Sequence, residues 1–219
     1  MLIAVIPAFN EGKTIGGIIE RTRKFVDEVI VVDDGSWDET LAICGEKDCV
    51  VLSHGVNKGV GAALRTGINY VRDRYRDPEI IILDSDGQHF PEDIPLFLNT
   101  GFDVVIGTRF GDFRGLTVYK KLLNKIASKI ASLLAKKMII DSESGFRYYN
   151  KKAVKQISFK SNDYAWATED IIILSKKGFS ISFVSIKTIW GIPSREGQRR
   201  RGLIYGILVL FRLIRMSLE

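Results

Sequence analysis

The chain has 219 residues, of which 46% are hydrophobic and 26% are charged. This composition excludes a disordered or fibrous protein and is sufficient for one large domain, or two small ones, with a buried core. The net charge of +6 hides two opposed halves, since residues 1–113 carry 11 basic and 19 acidic side chains and residues 114–219 carry 21 and 7. An acidic half suits a cation, and a basic half suits an anion, a phosphate or a membrane surface.

Short apolar runs alternate with longer helical patterns in the first half of the chain. We predict strands over residues 2–6, 28–33, 49–53, 79–84 and 103–107, and helices over 12–25, 38–46, 59–75 and 92–99. The strand segments are apolar at consecutive positions, as strands covered on both faces must be. This alternation predicts an α/β fold with a mostly parallel central sheet flanked by helices.

The pattern changes after Phe113. Residues 116–137 combine leucine and isoleucine at helical spacing with surrounding lysines, which predicts an amphipathic helix that lies on the protein surface or faces a membrane. The remaining predicted elements are a strand near 145–149, helices near 151–156 and 168–177, a strand at 180–187, a polar loop at 190–202 and a final amphipathic helix at 203–217. Because no linker, repeat or low-complexity tract divides the chain, we interpret residues 1–219 as a single domain.

Two features bear on the cellular compartment. Cys44 and Cys49 are too few for a disulfide framework or a four-ligand zinc site, which favours a reducing cytoplasm. The most apolar long segment, residues 203–218, is interrupted by Arg212 and Arg215, so we expect it to lie on a membrane and not to cross it. With no leader sequence at the N-terminus, we expect a cytoplasmic protein that is peripheral at the cytoplasmic face of the membrane, without a transmembrane helix.

Paired carboxylates follow the strand predicted at 79–84. Asp84 and Asp86 lie two residues apart, at the edge where open α/β sheets place their ligands. In an extended chain the two side chains point the same way and repel each other unless a cation lies beside them. Gln88 adds an amide oxygen, so the three residues predict a site for Mg²⁺ or Mn²⁺. The alternative is a solvated turn that caps the next helix.

The first two predicted strands also end in polar loops. Phe9 and Glu11 follow the first strand, and Asp33 and Asp34 follow the second. Because these loops meet at the same edge of a parallel sheet, we expect a pocket with an aromatic face, carboxylates and backbone amides. Carboxylates there suit the N–H groups of a base and the hydroxyls of a ribose, whereas phosphates would need the cation.

Glycines at positions 59 and 61 open the third predicted helix. They are similar to a dinucleotide-binding fingerprint, but its third glycine position is Leu64. Close helix packing is the better explanation for these glycines.

Six short motifs together resemble a known family. They are PAFNE at 7–11, VVDDGS at 31–36, NKGVGAALRTG at 57–67, LDSDGQH at 83–89, GTR at 107–109 and SGFR at 144–147. In this order and spacing the chain resembles the family 2 inverting glycosyltransferases with the GT-A fold, and most of all the dolichyl-phosphate mannose and glucose synthases and related polyprenyl-phosphate sugar transferases. The resemblance implies that residues 1–113 form a nucleotide- and metal-binding half and residues 114–219 an acceptor-binding half.

The resemblance also implies roles for individual residues. Nucleotide-sugar binding is assigned to Pro7, Phe9, Glu11, Val32, Asp34, Lys58, Arg65, Asp84 and Arg109. The metal is assigned to Asp84, Asp86 and Gln88, and catalysis to Asp86, Arg109 and Asp170. Contacts with the acceptor or its phosphate are assigned to Lys121, Arg147, Arg195 and Arg199.

The implied activity is metal-dependent transfer of a hexose from a nucleoside diphosphate, of the GDP-mannose or UDP-glucose type, to a polyprenyl phosphate. The cation and Arg109 or Arg65 would stabilise negative charge on the leaving phosphate. A phosphate acceptor is already an anionic nucleophile and needs no general base.

A second hypothesis is transfer to a hydroxyl acceptor, which does need a base. In hydroxyl-transferring relatives a Thr-Glu-Asp triplet supplies that base, and Thr168, Glu169 and Asp170 match it. The other interpretation of this triplet is helix capping, with Thr168 as the N-cap and two acids in the first turn. Both interpretations stay open at this stage.

The arginine-rich part of the loop at 190–202 is bounded by glycines that serve as hinges, and we interpret it as a basic flap over the donor site. A third hypothesis, a binding module without activity, is disfavoured because such a module needs neither a metal site nor this flap. Nucleic acid is an unfavoured partner because no recognised binding module accompanies the arginines. The motif Gln-x-x-Arg-Trp of polymer-forming relatives is incomplete, since Gly202 stands in place of the tryptophan, which argues against a processive synthase.

Overall fold

A seven-stranded sheet forms the centre of the structure, a computed structural model that describes residues 1–108 and 128–189. Its strands are β1 Leu2–Ala8, β2 Glu28–Asp33, β3 Val50–Ser53, β4 Glu79–Ile82, β5 Val104–Thr108, β6 Arg147–Tyr149 and β7 Ile181–Ser185. They lie in the order β3-β2-β1-β4-β6-β5-β7. Neighbouring strands are parallel except β6, which pairs antiparallel with both β4 and β5. The predicted mostly parallel sheet is therefore confirmed.

Helices cover both faces of this sheet. They are α1 Ile15–Thr22, α2 Thr40–Gly45, α3 Val60–Arg74, a 3₁₀ helix at Pro91–Phe97, α4 over 128–135, α5 Lys151–Val154 and α6 Trp166–Lys176. Alternate residues of β1 belong to different cores: Ile3 and Val5 pack with α3 and α6, whereas Ala4 and Ile6 pack with α1. Since every residue of β1 is buried, the strand has no polar face, which explains its continuous apolar sequence.

Several predicted boundaries change in the structure. The strand predicted at 79–84 ends at Ile82, so Asp84 lies beyond the strand and its side chain is not held in a pleat. The helix predicted at 92–99 is the 3₁₀ helix, in which Pro95 has no N–H to donate to a regular helical ladder. The helix predicted at 168–177 begins at Trp166 with Ala165 as its N-cap, so the prediction of Thr168 as the cap is wrong.

The described part of the segment predicted as an amphipathic helix at 116–137 is helical over 128–135. The helix ends before Lys136, which has a positive φ of 50°. The polar loop predicted at 190–202 and the helix predicted at 203–217 lie outside the described residues. Within 1–108 and 128–189, no helix has both the length and the apolar character required to cross a bilayer.

Candidate active site

The segments that follow β1, β2 and β4 meet at the carboxyl edge of the sheet and are hydrogen-bonded to one another. The Ser85 hydroxyl, between the two predicted metal ligands, donates to the Pro7 carbonyl at the end of β1, at 2.8 Å. Thr14, at the start of α1, donates to the Ser85 carbonyl at 2.7 Å. The Asn10 amide donates to the Ser36 hydroxyl after β2, also at 2.7 Å. The three loops therefore form one surface, as the parallel topology predicts.

Asp84 lies on this surface with a third of its side chain exposed. Gly145 packs directly against it, because a Cβ atom at that position would lie 2.7 Å from Asp84 Oδ2. The buried ring of His89 lies on another side, with Nδ1 3.7 Å from the same oxygen, and packs against Phe146. Asp84 is thus confined by neighbours while one side remains open to solvent.

Asp86 has an environment that disfavours its negative charge. Burial raises the pKa of the Asp86 carboxyl, and the nearby charge of Asp84 raises this pKa further. The Gln88 backbone N–H donates to Asp86 Oδ1 at 2.9 Å and opposes this effect. Two carboxylates that disfavour each other's charge favour a cation between or beside them.

Asp34, immediately after β2, organises the start of α3. Its Oδ1 accepts hydrogen bonds from the Lys58 amide at 2.9 Å and from His54 Nδ1 at 2.7 Å. Its Oδ2 accepts one from the Gly59 amide at 2.7 Å. The carboxylate is buried, whereas the Lys58 side chain is exposed at the edge of the site.

The other predicted nucleoside residues surround this point. Val32 lies opposite Pro7 in the register of β2 and β1. Phe9 is half-buried in the loop after β1. The Glu11 amide donates to Thr40 Oγ1 at 2.6 Å, and Thr14 Oγ1 donates to the Glu11 carboxylate at 3.3 Å. These contacts give the loop after β1 a defined conformation beside Asp34.

Comparison with known proteins assigns the chain to a protein family. The family model described as Glycosyl transferase family 2 matches residues 3–158. The chain belongs to glycosyl transferase family 2. Its activity is therefore glycosyl transfer that depends on a nucleotide sugar.

Two relatives match this family 2 glycosyltransferase along nearly its whole length. An uncharacterised protein of Methanocaldococcus jannaschii is 35% identical over 223 residues, which cover 97% of this chain and 90% of the relative. The UDP-N-acetylglucosamine–dolichyl-phosphate N-acetylglucosaminyltransferase of Methanococcus voltae is 30% identical over 245 residues, which cover 100% of this chain and 96% of that enzyme.

The fold of the glycosyltransferase is also found among solved structures. Glucosyl-3-phosphoglycerate synthase from Mycobacterium tuberculosis, crystallised with Mn²⁺, UDP and phosphoglyceric acid, superimposes with a TM-score of 0.69 at 21% identity. The superposition covers 95% of this chain and 77% of that one. The α/β architecture is the GT-A fold, as predicted.

Arg65 of the glycosyltransferase is engaged by a loop of its own chain. Its guanidinium donates to the Ser161 carbonyl at 2.8 Å and to the side chain of Asn162. The same loop packs so closely on α3 that a Cβ atom at Gly61 would lie 2.2 Å from the Ser161 carbonyl oxygen. The glycine therefore serves close packing, as predicted. This geometry gives Arg65 the role of holding the loop at 160–162 and does not support its predicted contact with the leaving phosphate.

Arg147 has no exposed surface. Its guanidinium donates to the backbone carbonyls of Ser144, Ala167 and Ser142 at 2.7, 2.6 and 3.0 Å. An arginine enclosed in this way does not reach an acceptor in solvent or in a membrane. We correct its predicted role from acceptor binding to support of the loop that ends in Gly145 and Phe146, beside Asp84.

Asp170 is also fully buried. It accepts a hydrogen bond from the Tyr149 hydroxyl at 2.7 Å and lies 3.9 Å from the Arg147 guanidinium. Burial raises the pKa of Asp170 to about 6, although Arg147 and the Tyr149 hydrogen bond act to lower it. Because a general base must touch the proton that it removes, this position does not support the predicted role of Asp170 as a base.

Four of the predicted site residues, Arg109, Lys121, Arg195 and Arg199, lie outside the described residues. Conversely, sequence reasoning missed His54 and the loop at 160–162. A single histidine after a short strand has no motif, and its contact with Thr66 depends on how α3 packs against β3. The only available signal was the position of His54, three residues before the motif that begins at Asn57.

Proposed function

We propose that this family 2 glycosyltransferase transfers a sugar from a UDP-sugar to a polyprenyl phosphate, with a divalent cation held by Asp84 and Asp86. The observation that carries the proposal is this pair of carboxylates, confined at the carboxyl edge of the sheet beside the loops of the predicted nucleoside pocket.

The donor set fits Mg²⁺ or Mn²⁺. Asp86 is a carboxyl whose pKa is raised by burial and by Asp84, so a nearby cation would favour its charged form. Across 1–108 and 128–189, no cluster of three His, Cys, Asp or Glu side chains suits a metal ion. Mg²⁺ is commonly held by one or two carboxylates with substrate phosphates and water completing its coordination. We therefore assign the carboxylates of Asp84 and Asp86 and the side-chain amide oxygen of Gln88 as the protein ligands of the cation.

The nucleoside is assigned to the adjoining loops. In this proposal Phe9 offers a face for the base, and Asp34 and Glu11 accept hydrogen bonds from the base and the ribose. Pro7 and Val32, which are paired in the register of β1 and β2, are assigned to the floor between them, and the exposed Lys58 is assigned to the phosphates. UDP is favoured as the nucleotide because the Methanococcus voltae relative is named for a UDP-sugar and the Mycobacterium tuberculosis structure contains UDP.

The reaction needs one displacement. An oxygen of the acceptor phosphate attacks the anomeric carbon of the sugar, the bond from this carbon to the diphosphate oxygen breaks, and UDP leaves with the electron pair. Attack from the opposite face inverts the anomeric centre. The cation, when bound, supplies positive charge to the leaving diphosphate. Because of its place in the GTR motif, Arg109 is also assigned to stabilise the negative charge of the leaving diphosphate.

The acceptor is assigned as a lipid phosphate for two reasons. The Methanococcus voltae relative is named for a dolichyl-phosphate acceptor. In addition, Asp170 is enclosed by Tyr149 and Arg147, which leaves a hydroxyl acceptor without its expected base, whereas a phosphate needs none. Lys121, Arg195 and Arg199 of the basic half remain the residues assigned to the acceptor phosphate.

We further propose that the basic half brings the enzyme to an anionic membrane surface. A lipid acceptor has to reach Asp84 at the carboxyl edge of the sheet. The described end of the lysine-rich segment lies elsewhere, since Lys137 donates to the Phe179 carbonyl just before β7, at the amino edge. From the sequence, we assign membrane contact to the arginines at 199–201 and the amphipathic sequence that follows them.

The test compares two acceptors that differ only in the phosphate. Purified protein is incubated with Mn²⁺, a panel of UDP- and GDP-sugars that includes UDP-N-acetylglucosamine, and either polyprenyl phosphate or polyprenol in detergent. We expect transfer from a UDP-sugar to polyprenyl phosphate alone. Asp86→Asn should lower kcat by about a hundredfold or more without loss of thermal stability, because it removes a charge that burial disfavours. The exposed Asp73→Asn is the matched control.

Two outcomes would contradict the proposal. Unchanged Mn²⁺-dependent turnover in Asp86→Asn would exclude the metal assignment. Transfer to polyprenol or another hydroxyl that disappears in Asp170→Asn would favour the second hypothesis, with Asp170 as base. Asparagine is preferred to alanine here because it retains the shape of the side chain beside Tyr149 and Arg147.

A further inference from the structure

We infer that His54 is a positioning residue for the donor site: it orients the Asp34 carboxylate and, through it, the backbone of Lys58 and Gly59. The inference rests on the nucleotide site proposed above. It concerns a residue to which neither the motifs nor the family resemblance assigns a role.

His54 lies immediately after β3 and is 8% exposed. Its backbone N–H donates to the Asp33 carbonyl at 2.8 Å, which continues the pairing of β3 with β2. Its ring bridges two elements, with Nδ1 2.7 Å from Asp34 Oδ1 and Nε2 2.9 Å from the Thr66 hydroxyl in α3. Both ring nitrogens are therefore used.

The chemistry of the partners decides the direction of one bond. An ionised carboxylate only accepts hydrogen bonds, so Nδ1 is the donor to Asp34. The Thr66 hydroxyl both donates and accepts, so it suits Nε2 in either state of the ring. The imidazole is thereby held in one orientation by a neighbour on each side.

Asp34 in turn holds the turn before α3. The described residues supply three donors to this carboxylate, namely His54 Nδ1 and the amides of Lys58 and Gly59. A carboxylate has about four acceptor positions, so these three donors leave one on Oδ2, which we assign to a ligand N–H or O–H. Because Gly59 has a φ of +97°, the turn has a conformation that most residues avoid, and the Asp34 bonds stabilise it. Loss of the His54 bond should let the carboxylate rotate away from the orientation that a nucleoside needs.

Two substitutions separate the two ring nitrogens. In His54→Asn the side-chain amide nitrogen falls near the place of Nδ1, so this variant retains a donor to Asp34 and loses Thr66. In His54→Gln the amide reaches the place of Nε2, so this variant retains Thr66 and loses Asp34. Thr66→Val is a third variant, which removes the hydroxyl and leaves the His54–Asp34 bond in place.

The experiment measures UDP binding by calorimetry with Mn²⁺ present, and then kcat and KM for the donor. We expect His54→Gln to raise the Kd for UDP and the donor KM by about tenfold, with kcat within about threefold of wild type, because a hydrogen bond to a charged group has roughly that effect. His54→Asn and Thr66→Val should bind UDP nearly as tightly as wild type.

Thermal unfolding provides the comparison for a merely structural role. If His54 only joins β3 to α3, all three variants should lose stability and activity together. In that case His54→Asn should bind UDP as weakly as His54→Gln does, and this result would overturn the inference. If wild-type protein binds UDP but transfers no sugar to polyprenyl phosphate, the acceptor proposal fails while His54 is still tested. If wild-type protein binds neither UDP nor GDP, both proposals fail.

Discussion

At position 145 the smallest side chain controls the position of a carboxylate. Gly145 touches Asp84, and a Cβ atom there would lie 2.7 and 2.8 Å from its two carboxylate oxygens. The contacted atoms are the end of a short side chain that is partly exposed, so Asp84 can move aside at little cost in stability. The effect of a larger residue should therefore appear in the site and not in the fold.

We expect Gly145→Ala to reduce Mn²⁺-dependent transfer by about tenfold to a hundredfold, because the added methyl group displaces the Asp84 carboxylate from the position in which it would bind the metal. The melting temperature should change little. Activity measured against Mn²⁺ concentration checks this, and a lower apparent affinity for Mn²⁺ is the expected cause.

Gly17→Ala is the matched control for this change. Gly17 lies inside α1 with no atom within 4 Å of its Cβ position, so alanine should stabilise the protein by about 0.5–1 kcal/mol and leave transfer unchanged. Wild-type activity in Gly145→Ala would mean that Asp84 does not bind the metal in its present orientation.

Among the elements, β6 and α6 are joined by a buried charged pair. Arg147 in β6 and Asp170 in α6 have no exposed surface, and Tyr149 of β6 donates to the same carboxylate. Removing one member of such a pair leaves the other uncompensated, which is costly. The antiparallel strand β6 is thus held between β4 and β5 by its ladder and held to α6 by its side chains.

This pair predicts a pH dependence of stability. In the folded protein the pKa of Asp170 is raised to about 6 by burial, against an ordinary value of 3.8, with Arg147, Arg72 and Tyr149 lowering it and Glu169 raising it. Between about pH 4 and 6 the folded state therefore binds more protons at this residue than the unfolded state, so its contribution to stability falls as the pH rises.

Asp170→Asn removes this dependence. We expect the free energy of unfolding of the variant, relative to wild type, to rise by about 1–3 kcal/mol from pH 4 to pH 6. Urea titrations across this range measure the difference, and Asp73→Asn is the control for the loss of one carboxylate at an exposed position. Parallel curves for Asp170→Asn and wild type would contradict the burial of a titrating Asp170.

At the scale of the whole molecule, the opposed charges of the two halves are the main feature. The acidic half contains the two aspartates of the proposed metal site and Asp34, and the basic half contains the residues assigned to the acceptor phosphate and the membrane. Basic residues near an anionic bilayer each contribute about 1 kcal/mol, an effect that salt screens within a Debye length.

We expect the protein to bind vesicles that contain phosphatidylserine, and to bind them more weakly as salt is raised. Arg199→Gln with Arg200→Gln should weaken this binding by about tenfold or more. Lys151→Gln with Lys152→Gln, which removes the same charge from exposed positions in α5, should have a smaller effect. Vesicle flotation measures both pairs. Equal losses would indicate a response to net charge, and no binding by wild-type protein would exclude the proposed surface.

Some parts of this molecule follow from the sequence alone. The order of the strands along the chain was predictable because each core strand is apolar at consecutive positions, and the adjacency of the loops after β1, β2 and β4 followed from parallel topology. The pair Asp84 and Asp86 was identifiable because its two carboxylates immediately follow a buried strand.

Other features required the tertiary structure. Arg147, Asp170 and Arg65 are charged residues that match motifs of the resembled family. The sequence does not state whether each charge faces the cleft or the protein interior, because that depends on how α6 and the loop at 160–162 pack. The role of His54 likewise depends on Thr66 and Asp34, which lie 12 and 20 positions away in the chain. Hydrophobic periodicity is a local property of the sequence, so it was enough to predict the helices, the strands and the edge of the sheet that carries the site. Hydrogen bonds between residues distant in the chain decided which polar residues support the site and which remain available to a substrate.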